Sequence, residues 1–444
     1  MFRRILIANR GEIAVRIIRA CRELGVTSIA VYSQADRDSL HTSLADESIC
    51  IGPPPATKSY LHIPSIIAAA EVCDAHAVHP GYGFLSESAK FAEICRECNI
   101  GFIGPSPEAI SLSGDKAACR ATVKGAGVPV VPGSEGLIRN ADEAVAIAQQ
   151  IGFPVLVKAS AGGGGKGMRI AHNDVALKNA VSMAASEAEA AFGDSGVYLE
   201  KFVENSRHIE FQIMADAQGK VMSLGERECT IQRRHQKIIE ETPSAVMTPE
   251  LRAAMSEAAI KATRAMNYCN AGTAEFLLAP DGQFYFIEFN ARIQVEHPVT
   301  EEVTGFDLVK EQIRIASGAP LSLPTIEPVG AAIEARIYSE DPDNNFAPSV
   351  GVVKRCHLPG GPGVRIDTHL FEGYDVPRYY DPLQAKIIAW GQDREEAISR
   401  LANALDEFTV EGIKTTAGLC ARIVRSDRFR RGDLSSDMVN EFVG

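Results

Sequence analysis

Over the first hundred positions, short apolar runs alternate with segments whose apolar residues recur at about the 3.6-residue helical period. Arg4-Ile5-Leu6-Ile7-Ala8 reads as a short buried strand. Ile13, Ile17, Ile18 and Cys21 then fall on one helix face, which Asn9 is placed to cap and Leu24-Gly25 to end. Val26-Thr27-Ser28-Ile29-Ala30-Val31-Tyr32 is the next strand, 65–70 a helix, and Ala75-His76-Ala77-Val78-His79 a strand again. Strands separated by helices predict a doubly wound parallel sheet. Ligands of such sheets sit beyond the carboxyl ends of the strands. Two loops stand there: Asn9-Arg10-Gly11-Glu12 and His79-Pro80-Gly81-Tyr82-Gly83-Phe84-Leu85-Ser86-Glu87.

The pattern then changes. A turn-rich break at 125–134 leads into a compact α+β segment ending near 203. Strand signals at 207–225 and 271–290 flank a helix at 248–267, and the chain from 331 is mixed and strand-rich, with a helix near 394–407. The fold class is α/β, or α+β taken whole, with breaks expected near 114, 131, 203 and 330. There is no internal repeat and no low-complexity tract.

Composition narrows the function. The 444 residues carry a net charge of −12, which argues against a surface devoted to nucleic acid or anionic membrane but not against a local basic pocket. The ten cysteines are scattered, which suits a reducing compartment. Cys95-Arg96-Glu97-Cys98 lacks the second ligand pair that a zinc site needs. No apolar run approaches the roughly 18 residues of a membrane span, and the apolar stretch after Arg3-Arg4 is too short for a signal-peptide core. A cytoplasmic protein is expected.

Val155-Leu156-Val157-Lys158-Ala159-Ser160 runs into Ala161-Gly162-Gly163-Gly164-Gly165-Lys166-Gly167-Met168. Consecutive glycines let backbone N–H groups approach an anion closely, and flanking lysines add charge. The spacing fails the P-loop pattern, because Met168 stands where Lys-Ser/Thr is required. Met168-Arg169-Ile170-Ala171 reads as a second strand, with helix only from about Asp174. The loop is therefore expected to be a hairpin tip that can fold over a nucleotide.

A second hairpin is predicted at 272–290, with its turn at Ala279-Pro280-Asp281-Gly282. Regular pairing sets Glu275 opposite Phe286 and Glu288 opposite Thr273. Glu275, Glu288 and Asn290 then share one face, with the carboxylates as diagonal neighbours roughly 7–8 Å apart at the backbone. Phe284 and Phe286 are expected on that same face. Paired carboxylates call for a cation between them, and oxygen ligands favour Mg²⁺. Arg292-Ile293-Gln294-Val295-Glu296-His297-Pro298 follows at once, and Cys229-Thr230-Ile231-Gln232-Arg233-Arg234-His235-Gln236-Lys237 concentrates positive charge upstream. That run is either a solvated face or part of an anion site.

Asn9-Arg10-Gly11-Glu12-Ile13-Ala14, the 79–87 loop, Lys158-Ala159 with its glycines, Arg233-Arg234-His235-Gln236-Lys237 and 290–298 together resemble biotin carboxylase, an ATP-grasp enzyme, over nearly the whole chain. The resemblance implies a biotin carboxylase N-terminal domain at 1–114, an ATP-grasp domain at 115–330 with a mobile lid at about 131–203, and a biotin carboxylase C-terminal domain at 331–444. It implies ATP-dependent carboxylation of carrier-bound biotin by bicarbonate, through carboxyphosphate, with Mg²⁺ or Mn²⁺. Lys116, Lys158, Gly164, Gly165, Glu200, Lys201, Phe202, Val203, His208 and His235 match nucleotide positions, where Glu275 and Glu288 also contribute. Glu275, Glu288 and Asn290 match metal ligands. Lys237, Arg292, Gln294 and Val295 match the bicarbonate site, and Glu296 matches the base that deprotonates bicarbonate. Arg336 matches the residue that stabilises the biotin enolate, and Tyr82 is a further substrate contact.

The implied partners are a biotin carboxyl carrier protein, carboxyltransferase subunits and a second copy in a homodimer. No Ala-Met-Lys-Met biotinylation motif occurs, so the biotin is expected on a partner. The expected complex is acetyl-CoA carboxylase, supplying malonyl-CoA for fatty acid synthesis. A pyruvate or propionyl-CoA carboxylase is the alternative, because another subunit reads the acceptor. A nucleotide-sensing regulatory subunit on the same fold is the non-enzymatic reading.

Overall fold

The computed structural model describes residues 1–159, 168–321 and 327–443. The first segment is a five-stranded parallel sheet in the order Glu47–Gly52, Thr27–Ser33, Arg4–Ile7, Ala77–His79, Gly101–Phe102. Ile5 and Ile7 pack under Ile13 and Ile17 of the helix Gly11–Glu23, while Leu6 points to the other core with Ile66 and Phe91. Both faces are covered, as a parallel sheet requires. Strands Arg4–Ile7 and Ala77–His79 are direct neighbours, so the loops after them meet.

Asn9 does not cap the helix. Arg10 is the residue before the first turn and no side chain caps it. The Asn9 amide instead donates to the carbonyls of Pro80 and Tyr82, 2.7 Å each, and its oxygen accepts from the Arg10 N–H at 2.8 Å. The short side chain stitches one ligand-side loop to the other, a cross-strand role that helix periodicity does not encode.

The central element is an eight-stranded antiparallel sheet: Phe284–Asn290, Asn270–Leu278, Arg207–Ala215, Val221–Arg233, Gln236–Thr242, Ala331–Tyr338, Leu383–Gly391, Val364–Thr368. The strand signal at 207–225 is two strands, the second reaching Arg233, and Gln236–Thr242 is a further strand. The basic run is thus a hairpin, exposed at its tip residues Arg234 and His235 and part-buried at Arg233 and Lys237. The sheet runs across position 330, since Glu240 pairs with Glu334 and Glu241 with Ile333. Helix Pro249–Ala265 covers one face, packing Met255 and Ala259 against Phe211 and Phe276. Helix His297–Thr304 lies on the other, with Val299 against Ala332 and Ile388. Helices Arg394–Glu407 and Ala417–Arg425 close the C-terminal core around Ile333, Ile337 and Ile387.

Residues 131–203 contain their own three-stranded sheet, Arg169–Ala171, Val155–Ala159, Val197–Lys201, and their own core, in which Ala144, Leu177 and Ala184 meet Val155, Val157 and Leu199. Its helices Ala141–Ile151 and Asp174–Phe192 start at asparagine caps, whose side chains accept from the N–H groups of Glu143 and Ala176 at 2.9 Å. Val155 pairs with Ala171 and Val157 with Arg169, so antiparallel strands flank the glycine loop as the sequence predicts. Gly164, Gly165 and Lys166 themselves lie outside the described residues.

Candidate active site

The carboxylate hairpin departs from regular pairing. Thr273 faces Asn290 and Glu275 faces Glu288, but Phe276 faces Phe286. One extra residue, Ile287, is accommodated on the return strand as a bulge. The bulge corrects two expectations. Glu288 stands directly across from Glu275 rather than diagonal to it. Phe284 and Phe286 turn to the opposite face and pack on Phe276 in the core. A sequence period of two cannot register an inserted residue, so every side chain beyond it changes face.

The face thus exposed forms a wall of a cavity of about 870 Å³. Its lining includes Tyr82, Lys116, Lys158, His208, His235, Lys237, Glu275, Glu288, Asn290, Arg292, Gln294, Val295 and Arg336, drawn from all three segments of the chain. Leu156, Met168, Leu277 and Ile287 add an apolar surface beside them. Glu200, Lys201, Phe202 and Val203 do not line it. Glu200 is buried and pairs with Lys158 and Arg120, and the Lys201 ammonium donates to the carbonyls of Gly152 (3.1 Å) and Phe153 (2.7 Å).

Lys237 is the hub. Its Nζ lies 2.5 Å from Glu210, 3.0 Å from Glu275 and 2.7 Å from Glu296. Glu275 also accepts from Asn290 (2.9 Å) and Gln294 (3.2 Å), and its second oxygen lies 2.8 Å from His208 Nε2. Burial alone would raise the Glu275 pKa, but Lys237 and His208 outweigh it and hold the carboxyl well below its usual range. Lys116 stands 3.6 Å from Glu288.

Does this set fit a divalent cation? Among the described residues, His208, Glu210 and Glu275 bring ligand atoms within 4.8 Å of one another, as do Glu210, Cys229 and Glu296. The Lys237 ammonium bonds Glu210 and Glu275 in the first group and Glu210 and Glu296 in the second. Both are therefore ion-pair clusters. Glu275 and Glu288, opposite each other with Asn290 beside them on the cavity wall, supply the hard oxygen donors that suit Mg²⁺ bound jointly with phosphate oxygens, and Glu275 would exchange its contacts to Lys237 and His208 for the ion.

The second wall is an arginine–glutamate lattice. Arg292 is held on three sides: Nε donates to Glu87 (2.8 Å), one terminal nitrogen to Gln294 (2.8 Å) and the other to Asn290 (3.0 Å). Arg336 bridges Glu240 (2.5 Å) and Glu296 (2.9 Å). Glu296 is fully buried behind Lys237 and Arg336 and does not itself line the cavity. Beneath them Arg227, also fully buried, binds Glu210, Gln212, Thr273 and Thr300. At the rim, Arg233 pairs with Gln236 and the tip residues Arg234 and His235 have φ of 50° and 66°. Positive φ at both tip residues is the geometry of a tight two-residue hairpin, here adopted by non-glycine residues at some cost.

Residues 79–87 stand out in the sequence, but nothing there marks Glu87 as the anchor of Arg292. Glu210, Arg227 and Glu240 give no sequence signal, because their importance arises only from cross-strand register. Glu210 lies opposite both Arg227 and Glu275.

Comparison with known proteins agrees with this architecture. Residues 1–110 match the family model for the biotin carboxylase N-terminal domain, 115–324 that for the carbamoyl-phosphate synthase L chain ATP-binding domain, and 334–441 that for the biotin carboxylase C-terminal domain. The chain is 55% identical over 442 residues to a biotin carboxylase of Nostoc sp., covering 99% of both. It is 51% identical to a subunit of the pyruvate carboxylase of Methanothermobacter thermautotrophicus, covering 100% of this chain and 90% of that one. The biotin carboxylase domain dimer of Hydrogenobacter thermophilus 2-oxoglutarate carboxylase, solved with MgADP, ADP and bicarbonate, superposes with a TM-score of 0.95 at 46% identity, covering 99% of this chain and 98% of that one. With three consecutive domain matches and full-length relatives, the chain belongs to the biotin carboxylase family.

Proposed function

We propose that this cavity carboxylates biotin carried by a partner protein, using ATP and bicarbonate. The observation that carries the reading is the convergence, in one cavity, of a facing carboxylate pair with Lys237, Arg292 and Arg336. Lys116, Lys158, His208 and His235 take the nucleotide, together with Gly164 and Gly165 of the glycine-rich segment. Glu200 serves the same end by holding Lys158, and Lys201, Phe202 and Val203, which do not line the cavity, are proposed nucleotide positions on the resemblance alone. Glu275, Glu288 and Asn290 hold Mg²⁺, which when bound neutralises charge on the transferring phosphoryl group.

Arg292, pre-oriented by Glu87, Asn290 and Gln294, presents a planar fork to bicarbonate, as a lysine could not. Gln294, Val295 and Lys237 complete that subsite. Glu296, buried just behind Lys237 and Arg336, takes the bicarbonate proton once Lys237 turns to the anion, and the deprotonated anion attacks the terminal phosphate of ATP to give carboxyphosphate and ADP. Carboxyphosphate breaks down to CO₂ and phosphate. Biotin gives its N1′ proton to the phosphate just released, and Arg336 offsets the enolate charge before attack on CO₂. Tyr82 contacts the substrate from the N-terminal segment.

The working units are 1–114, 115–330 and 331–444, with 131–203 acting as the lid, in a homodimer that receives carrier protein and hands on to carboxyltransferase subunits. Acetyl-CoA carboxylase is the preferred complex. The pyruvate carboxylase relative supports the second reading, and copurification of the carboxyltransferase decides between them. The activity is tested by ADP release at fixed MgATP. Free biotin is expected to stimulate release several-fold, and only with bicarbonate present. Release that ignores both contradicts the proposal.

A further inference from the structure

Lys386 is fully buried on strand Leu383–Gly391 of the C-terminal segment, yet its ammonium serves the other two segments. Nζ donates to the carbonyl of Val295 at 2.9 Å. It lies 3.2 Å from Glu12, on the first helix of the N-terminal segment, and 3.8 Å from Asp367 on the adjoining strand. Glu12 is buried too and accepts the hydrogen bond of the Tyr82 hydroxyl, and Tyr82 lines the cavity. Val295 belongs to the turn that carries Gln294 and Glu296. The same turn is held from a second side, where the buried His297 ring bonds the Gln294 carbonyl at 2.8 Å.

A buried lysine is expensive, and well-packed apolar residues would serve stability as well or better. This lysine directs its few donors at a backbone carbonyl and at the partner of a cavity-wall tyrosine. We propose that Lys386 is a positioning residue that fixes the 294–296 turn against Tyr82, and so sets the separation of the two walls at the bicarbonate and biotin end of the cavity. The inference rests on the proposed function of that end.

Lys386→Met, Lys386→Arg and Glu12→Gln are tested in the whole chain, with KM for bicarbonate, free biotin and ATP and the Kd for ADP measured for each. Small displacements of positioned groups cost up to about 10²-fold. Lys386→Met is expected to raise KM for bicarbonate and biotin about tenfold or more, with ATP and ADP constants changed less than about twofold. Lys386→Arg, which keeps charge and donors, recovers part of the loss. Glu12→Gln, which keeps hydrogen bonding to both neighbours, gives a smaller shift of the same kind. If the methionine variant does not fold, the arginine and glutamine variants decide the matter by the same split. Folded variants in which bicarbonate, biotin and nucleotide constants move together, or none moves, overturn the assignment. A wild-type chain without biotin-stimulated ADP release refutes the proposed function instead.

Discussion

Glu296→Ala is expected to lower kcat by about 10²- to 10⁴-fold, the range of a lost general base. Burial by itself would raise the Glu296 pKa, but Lys237, Arg336 and Arg227 outweigh burial and hold it well below the ordinary carboxylate range. The group is therefore ionised throughout the neutral range, the form a general base needs, but its proton affinity is low while those cations hold it. Its present partners, Lys237 at 2.7 Å and Arg336 at 2.9 Å, are the cations proposed to serve the anionic substrates. Were Lys237 to turn to the bicarbonate, the carboxylate would lose part of its compensation and its proton affinity would rise. Glu296→Gln keeps the volume and polar contacts but cannot take a proton, so its kcat should fall nearly as far. Neither change touches the nucleotide end, so the Kd for ADP should stay within about twofold. Loss of ADP affinity parallel to the loss of turnover would show that Glu296 is misassigned. The alanine variant leaves two buried cations without their shared anion, so its unfolding midpoint should drop further than that of the glutamine variant.

Arg336→Lys carries the second large effect. The guanidinium spans Glu240 and Glu296 at once, and its planar fork is what lets one side chain bridge two carboxylates while facing the cavity. A lysine ammonium reaches one of them and loses that orientation. Biotin-dependent turnover is expected to fall about 10²- to 10³-fold, as for the loss of one preorganised oxyanion donor. The slower ATP cleavage without biotin should fall much less, because enolate charge does not develop in that step. Equal loss in the two assays would place Arg336 in phosphoryl transfer instead.

Three of the five strands of the parallel sheet are legible in the sequence because they are short apolar runs, and the ligand-side loops follow from topology, whereas Glu47–Gly52, with its exposed polar start, and the two-residue Gly101–Phe102 leave no such signal. The metal face is legible in part. Alternation places Glu275, Glu288 and Asn290 together, but the Ile287 bulge that brings the carboxylates face to face leaves no mark in a period-two pattern. The basic run at 233–237 is ambiguous for a related reason. Charge density does not distinguish a solvated face from a hairpin whose tip points at a cavity, and the pairing of Arg233 with Gln236 resolves it. The lattice of Glu87, Glu210, Arg227 and Glu240 is invisible, since buried ion pairs between distant strands depend on register alone. The net charge of −12 speaks correctly against a broadly basic surface, yet it is silent on the cations gathered in one cleft. Family resemblance supplies roles for individual residues, and the structure adds how each is held.

The central claim is most directly tested by following carbon from isotopically labelled bicarbonate in the presence of MgATP and free biotin. The account predicts labelled carboxybiotin that forms only with ATP and in step with ADP release. ADP release with no label on biotin would contradict it.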